Sequence, residues 1–239
     1  MNQFSLRLLC ISLGLSLTAC ASISEKDCLQ GDWYEIGLKD GRHGSHNRSA
    51  SYSKDCAEYQ VQVDAELYKK GREKGLKSYC TYEKGVSLGS SNRSYNNVCP
   101  AELAPEFLSG YQPYRNVAKA KAELHSVEYR VEEIREKLDD EELKEKDRKK
   151  IKSKLKSAKA KVKRAKGEVF KYELELILHK VDRETEQLNL ELASNDVTPL
   201  RKKQIERRLD KLADKRIHVE TMQEAGSVIR NLKDLADLF

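Results

Sequence analysis

From Asn116 to Phe239 the chain is too polar and too regular to build a globular core. It carries 31 Lys/Arg and 26 Asp/Glu there, with one proline (Pro199) and two glycines (Gly167, Gly226). Apolar residues nevertheless recur at Ala120, Leu124, Val127, Val131, Ile134 and Leu138, alternating four and three residues apart. A heptad repeat of this kind predicts a long helix with one narrow buried seam, packed against another like it.

The seam breaks at Leu138-Asp139-Asp140-Glu141-Glu142-Leu143. Asp139 as N-cap, Glu142 at the capping-box position and Leu138/Leu143 as a hydrophobic staple predict a tight helix–helix turn there. Ile151, Leu155, Ala158, Val162, Ala165 and Val169 resume the seam, and both faces turn apolar over 169–178. The second helix is expected from Glu141 to about Ala193, and Thr198-Pro199 opens a third with Ile205, Leu209, Leu212 and Val219 on its seam. Their lengths predict that 116–138 folds antiparallel onto the first half of the middle helix and 199–225 onto its second half. The partners would switch near Phe170, and Gly226 would end the last helix.

The first half reads differently. It holds the sole Trp, most of the Tyr and three of the four Pro, and its charges balance. Cys28, Cys56, Cys80 and Cys99 all lie there. In an exported small domain an even cysteine count argues for two disulfides. Of the three connectivities, Cys28–Cys56 and Cys80–Cys99 close the most local loops. Each bridge contributes roughly 3 kcal/mol. An aromatic-x-x-Gly pattern recurs at Tyr34/Gly37, Tyr68/Gly71, Tyr82/Gly85 and Phe107/Gly110. On a helix these residues share a face, so a ring stands beside bare backbone and helices can cross closely. Helices are expected over 33–42 and 64–80, the latter capped by Asp64, with a third beginning near Ala101. Residues 83–98, rich in Gly, Ser and Asn, read as a loop.

No catalytic constellation emerges. His43 and His46 would share a helical face, but their polar surroundings and the lack of a third ligand leave them as surface residues, with no metal or cofactor expected. No Cys-x-x-Cys is present, and the serines sit in no nucleophile-elbow pattern. Asp32, Trp33, Asp40 and Tyr79 are the residues best suited to hold a ligand such as a sugar, although clustered aromatics more often form a small domain's core.

Residues 1–19 have the parts of a secretory signal: Arg7, an apolar run from Leu8 to Leu17, and small residues before Cys20. The run is shorter than the ~20 residues a membrane-spanning helix needs. Leu17-Thr18-Ala19-Cys20 resembles the bacterial lipobox, which implies cleavage before Cys20, acylation of its thiol and amine, and a lasting membrane anchor. Ala21 after the cysteine favours, by the same resemblance, the outer membrane, with the protein facing the periplasm. The organisation expected is a signal peptide (1–19), a lipidated tether (20–27), a cysteine-containing head (28–115), a charged helical arm (116–225) and an amphipathic C-terminal helix (226–239). The fold class is all-α: a disulfide-stapled helical head followed by long antiparallel coiled-coil-like hairpins.

Asp32-Trp33, Ile36-Gly37, Asp40-Gly41 and Gly44, then Tyr68-x-x-Gly71-x-x-x-Gly75-Leu76-x-x-Tyr79-Cys80, then Gly85, Gly89, Tyr95 and Val98-Cys99-Pro100 together resemble domain-of-unknown-function family 2799, lipoproteins of the cell envelope. The resemblance covers about 28–115. It implies the compartment and the domain boundary, and brings no activity. The basic run Lys144–Lys166 has 13 Lys/Arg against Glu145 and Asp147. An envelope location argues against nucleic acid as its partner. Anionic lipid, lipopolysaccharide phosphate or an acidic protein surface fits it, as does a solvated helix face. The function expected is that of a non-enzymatic, lipid-anchored interaction or scaffolding protein; the alternative is a glycan-binding lipoprotein of the envelope.

Overall fold

The computed structural model describes residues 23–194 and 196–228. The lipobox cysteine Cys20, the signal segment and residues 229–239 lie outside them. Every regular element among the described residues is a helix, and none is a strand. They form α1 (Glu25–Gln30), α2 (Trp33–His43), α3 (Ser49–Cys56), a 3-10 turn (Ala57–Tyr59), α4 (Ala65–Tyr79), α5 (Tyr82–Ser90), α6 (Ala104–Leu138), α7 (Glu145–Leu192) and α8 (Pro199–Val228). None is long and apolar enough to cross a membrane. The chain divides into two compact units between Tyr79 and Cys80.

In the first unit α2 crosses α4 with backbone nearly touching backbone. A Cβ on Gly37 would stand 2.0 Å from the Tyr68 carbonyl oxygen, and one on Gly71 would stand 2.0 Å from that of Tyr34. Gly41 and Gly75 repeat the reciprocal contact one turn on, at 2.3 Å from the carbonyls of Arg72 and Leu38. Only glycine permits this approach, and Tyr68, three residues before Gly71, is fully buried beside it. Trp33, Tyr52 and Tyr68 then close a core around the Cys28–Cys56 disulfide, on which Ile23 also packs. Residues 23–27, expected as tether, thus belong to the folded unit; Ser24 caps α1 by accepting from the Asp27 N–H.

The second unit repeats the device with α5 and α6. Cβ atoms on Gly85 and Gly110 would stand 2.2 Å from the carbonyls of Phe107 and Tyr82, and one on Gly89 would stand 2.4 Å from that of Tyr111. Cys80–Cys99 staples this crossing, so both bridges join the favoured pairs. The loop expected over 83–98 is therefore corrected at its start. Thr81 caps α5 by accepting from the Lys84 N–H, and the glycines that made the segment look irregular are its contact with α6. The correspondence goes further. Tyr34-Glu35-x-Gly37-x-x-x-Gly41 reappears as Tyr82-Glu83-x-Gly85-x-x-x-Gly89, and Tyr52 and Tyr95 each stand four residues before the second cysteine. Arg72 donates to the Ser45 carbonyl, and Tyr111, at the equivalent place, donates to Arg93, the equivalent acceptor. Each unit thus contains one copy of a single helix-pair motif.

α6 does not stop at the expected head–arm border. It runs through 115 without interruption and carries Pro113 inside it. Beyond Arg115 it pairs antiparallel with α7, as Lys121–Glu173 (2.7 Å) and Glu128–Lys166 (3.6 Å) record. Val117, Ala120, Val131, Ala158 and Ala165 are buried, and the other heptad positions are half-buried. The turn is built otherwise than expected. Asp139 is the C-cap of α6 and Lys144 the N-cap of α7. Arg148 clasps the turn by donating to the carbonyls of Leu138 and Asp140, at 2.7 and 2.8 Å. α8 returns along the second half of α7: Arg201 meets Glu191, Arg208 meets Glu184, and Val219 and Met222 bury Leu174 beside Phe170. α6 reaches as far as Arg183, paired with Glu106, so α7 has a helix on each flank from about Phe170 to Arg183. Gly226, expected as a stop, lies within α8.

Candidate functional site

The most polar interior of the first unit is built on α2. Asp40 sits one residue before a crossing glycine, 7 % exposed, and its Oδ2 accepts from the hydroxyls of Tyr52 and Tyr68, both at 2.8 Å. The Arg48 N–H donates to the Tyr68 oxygen at 3.1 Å, and the Arg48 side chain bonds to Tyr52. Burial, and then the hydrogen bond to Asp40, push the Tyr52 phenol up to about 12. Burial raises Tyr68 as well. Two phenols held protonated around one acid make a closed network that satisfies its own members.

Asp40 also reaches an open cleft lined by the carboxylates of Asp27, Asp32 and Glu35 and by Lys39 and Arg42. Asp32 is the N-cap of α2, accepting from the Glu35 N–H at 3.1 Å. Of the four residues read as ligand-binding, Asp32 and Asp40 thus share a cleft, and Trp33 and Tyr79 do not line it. Both rings are 4 % exposed. Trp33 packs in the disulfide core, and the Tyr79 ring lies against Gly44, where a Cβ would stand 2.1 Å from it. His43 ends α2 with Nδ1 2.7 Å from the Lys39 carbonyl, and His46 lies in the loop beyond. Among the described residues no three His, Cys, Asp or Glu converge in a way that would hold a metal ion.

A second cluster, which the sequence reading missed, fastens α7 to α5 and α6. The Arg183 guanidinium lies 3.4 Å over the Tyr82 ring and is bonded to Glu106 at 2.7 Å. His179 stacks beside the same ring, with centroids 6.2 Å apart, and Lys180 covers Tyr114 at 5.2 Å. Burial, and then the Arg183 charge, lower the His179 pKa. The cluster is a packed joint rather than a cavity. Its sequence signal was the polar group His179, Lys180, Asp182 and Arg183, which follows the apolar run Leu176-Ile177-Leu178 in α7.

The arm presents a long run of exposed charge. Lys146, Lys149, Lys150, Lys152, Lys154, Lys156, Lys159, Lys161 and Arg164 are exposed and make no ion pair among the described residues; Lys166 is paired with Glu128. On either side of the α6–α7 seam a shallow groove opens, one over Ala120, Val127 and Ala165, the other over Val131 and Val162 beside Tyr129. The grooves have apolar floors between rims that carry both cations and the carboxylates of Glu123, Glu168, Glu128 and Glu132. No curated protein and no solved structure matches the chain. What does match is residues 32–115, from the α2 N-cap to a point within α6 and so across both glycine crossings, to the family described as "Protein of unknown function (DUF2799)".

Proposed function

We propose that this protein is a lipid-anchored interaction or scaffolding protein of the bacterial cell envelope. Acylated Cys20 holds it to the outer membrane on the periplasmic side, and the α6–α7 arm engages an envelope partner. One observation carries the reading: the first half of the 48-residue α7 exposes Lys146, Lys149, Lys150, Lys152, Lys154, Lys156, Lys159, Lys161 and Arg164, none of them in an ion pair among the described residues. Its seam is already filled by α6, so these lysines add nothing to packing and repel one another, a cost that association with an anionic surface relieves. The disulfides agree with an oxidising compartment. The glycan reading has less beneath it, because Trp33 and Tyr79, its stacking platforms, are core residues. Photo-crosslinkers placed in cells at exposed positions of 144–166, with the products identified by mass spectrometry, test the proposal. A reproducible envelope protein is the expected product; glycan or lipid adducts alone would refute an adaptor role. Cys20→Ala should release the protein from the membrane fraction.

A further inference from the structure

The joint that fastens α7 to α5 and α6 holds a titratable group whose needs it does not meet. His179 lies against Tyr82 with the two rings 27° from parallel, and its Nε2 is buried without a hydrogen-bond partner among the described residues. The Tyr82 ring also faces the Arg183 guanidinium, 3.4 Å from its centroid. A neutral imidazole suits this place, because it stacks as an aromatic ring, can keep its one proton on Nδ1 and brings no charge. An imidazolium does not. It is obliged to carry an N–H at the buried Nε2, and it sets a second cation on a ring that already faces one. The carboxylates around it are committed elsewhere. Glu106 of α6 is bonded to Arg183 at 2.7 Å. Glu175, one turn before His179, pairs with Lys171 at 3.9 Å, and Asp182 turns to Arg216 of α8. Glu83 of α5 is exposed, and its charge acts on Arg183. The other neighbours add positive charge or none. Lys180 covers Tyr114, and Tyr82, pushed up to about 12 by burial and then by its hydrogen bond to Tyr114, stays a neutral phenol.

We infer that this joint is an acid-labile latch: protonation of His179 unseats its stretch of α7 from Tyr82, so the root of the arm is fastened to the second glycine crossing at neutral pH and loosens in acid. The hairpin beyond it stays closed, because the Lys121–Glu173 and Glu128–Lys166 pairs of α6 and α7 involve no histidine. The sign follows from where His179 sits. Burial, and then the Arg183 charge, hold its folded pKa below the ordinary 6.5, so the folded state binds fewer protons than the unfolded one. The stabilisation is therefore complete above pH ~6.5 and is lost as pH falls through the folded value. This window lies apart from the acid loss of the α7–α8 pairs. Hydrogen bonds from Arg208 and Arg201 hold Glu184 and Glu191 below the ordinary 4.5, so those pairs weaken only at lower pH.

The test is hydrogen–deuterium exchange on the full mature chain with Cys20→Ala, read by mass spectrometry. Exchange of peptides covering 176–186 is compared between this protein and the same protein with His179→Phe at each pH, so that the intrinsic pH dependence of exchange cancels. Phenylalanine keeps the stack on Tyr82 and cannot take a proton. His179→Gln is run beside it and carries the comparison where phenylalanine overfills the site. The ratio of histidine to variant exchange rates should rise at least about fivefold between pH 7.5 and 5.0. Peptides covering 150–160 should show no such rise. His125→Gln/His218→Gln, which leaves His179 in place, should keep the full effect. A ratio that stays flat over that range with both variants, an equal rise over 150–160, or loss of the rise in His125→Gln/His218→Gln overturns the latch.

Discussion

Gly37→Ala and Gly167→Ala are the same substitution in two helices, and the structure gives them opposite signs. An added methyl at Gly37 would lie 2.0 Å from the Tyr68 carbonyl oxygen, 2.9 Å from its carbon and 3.0 Å from the Arg72 nitrogen. All three are backbone atoms, so no side chain can swing away. Ordinary contact begins at 3.4 Å, so α2 and α4 must part by about 1.4 Å, which also opens the contacts of Gly41, Gly71 and Gly75. Overpacking costs about 1–3 kcal/mol where side chains can yield. Alanine returns about 1 kcal/mol of helix propensity. With backbone on both sides, the net loss for Gly37→Ala should be about 3 kcal/mol. For a unit of this size that lowers its Tm by roughly 12–24 °C. Gly167 has nothing within 4 Å, so there the propensity term acts alone and stabilises by up to about 1 kcal/mol. Trp33, the sole tryptophan, is buried in the first unit's core, so its fluorescence follows that unit, whereas far-UV circular dichroism is dominated by α6, α7 and α8. The two probes are read separately, because two units need not unfold together. A Gly37→Ala protein whose Trp33 transition moves by less than about 2 °C would refute the close-crossing argument.

Two further outcomes follow from the tyrosine–aspartate network. Asp40→Leu strands the hydroxyls of Tyr52 and Tyr68 and should cost about 2–3 kcal/mol. Adding Tyr68→Phe should recover about 1 kcal/mol of that, because the pair then matches Leu88 and Phe107 of the second copy, both buried; strictly additive losses in the double-mutant cycle would contradict this. The network also makes the first unit alkali-sensitive. Burial, and then Asp40, raise Tyr52 to about 12 from an ordinary 10, and burial raises Tyr68 too, so both folded values exceed the unfolded ones. The stabilisation is therefore complete below pH ~10 and is lost as pH rises toward and through the folded values. Urea midpoints read on Trp33 should fall between pH 9.5 and 11.5, and fall less in Tyr52→Phe/Tyr68→Phe. A wild-type midpoint flat over that range would refute it.

Much of the arm was legible because its rule is local. Burying a stripe on a helix requires apolar residues every three or four positions, and every seam residue from Ala120 to Leu138 and from Ile151 to Val169 is buried or half-buried. The disulfide pairing was legible for a similar reason, since short loops bring cysteines together cheaply. What misled was composition. Gly85, Ser87 and Gly89 look like a loop until α6 is laid against them, because a glycine that breaks an isolated helix is the residue a close crossing needs. The turn after Leu138 shows how caps compete: Asp139 had the pattern of an N-cap, yet α6 holds it as C-cap, its N–H donating to the carbonyls of Arg135 and Glu136. The platform reading of Trp33 and Tyr79 gave way to the alternative named beside it, that a unit this small consumes its largest rings as core. Nothing in the sequence near Tyr82 announced Arg183, about 100 residues away, because that joint exists only once α7 has folded back.

Comparing the two copies separates what the helix pair requires from what it merely contains. Both keep the aromatic-glycine crossing, a disulfide joining the segments before the paired helices, and a tyrosine four residues ahead of the second cysteine. They differ at the centre. The first has Asp40 bonded to Tyr68, and the second has Leu88 and Phe107 at the same places, 6 % and 0 % exposed. The crossing therefore forms around a polar or an apolar pair, and the acid is not a condition of the fold. They differ also at the end of the second helix. α4 stops at Tyr79, whose counterpart in α6 is Ala118, yet α6 continues for a further 20 residues to Leu138. The change from glycine notches to a heptad seam falls just there, between Gly110 and Ala120. The arm is accordingly an outgrowth of the second copy's last helix. Its α6 helix takes direction from a crossing locked by backbone contact, so the lysine-rich half of α7 packs on a continuous helix rather than on a linker.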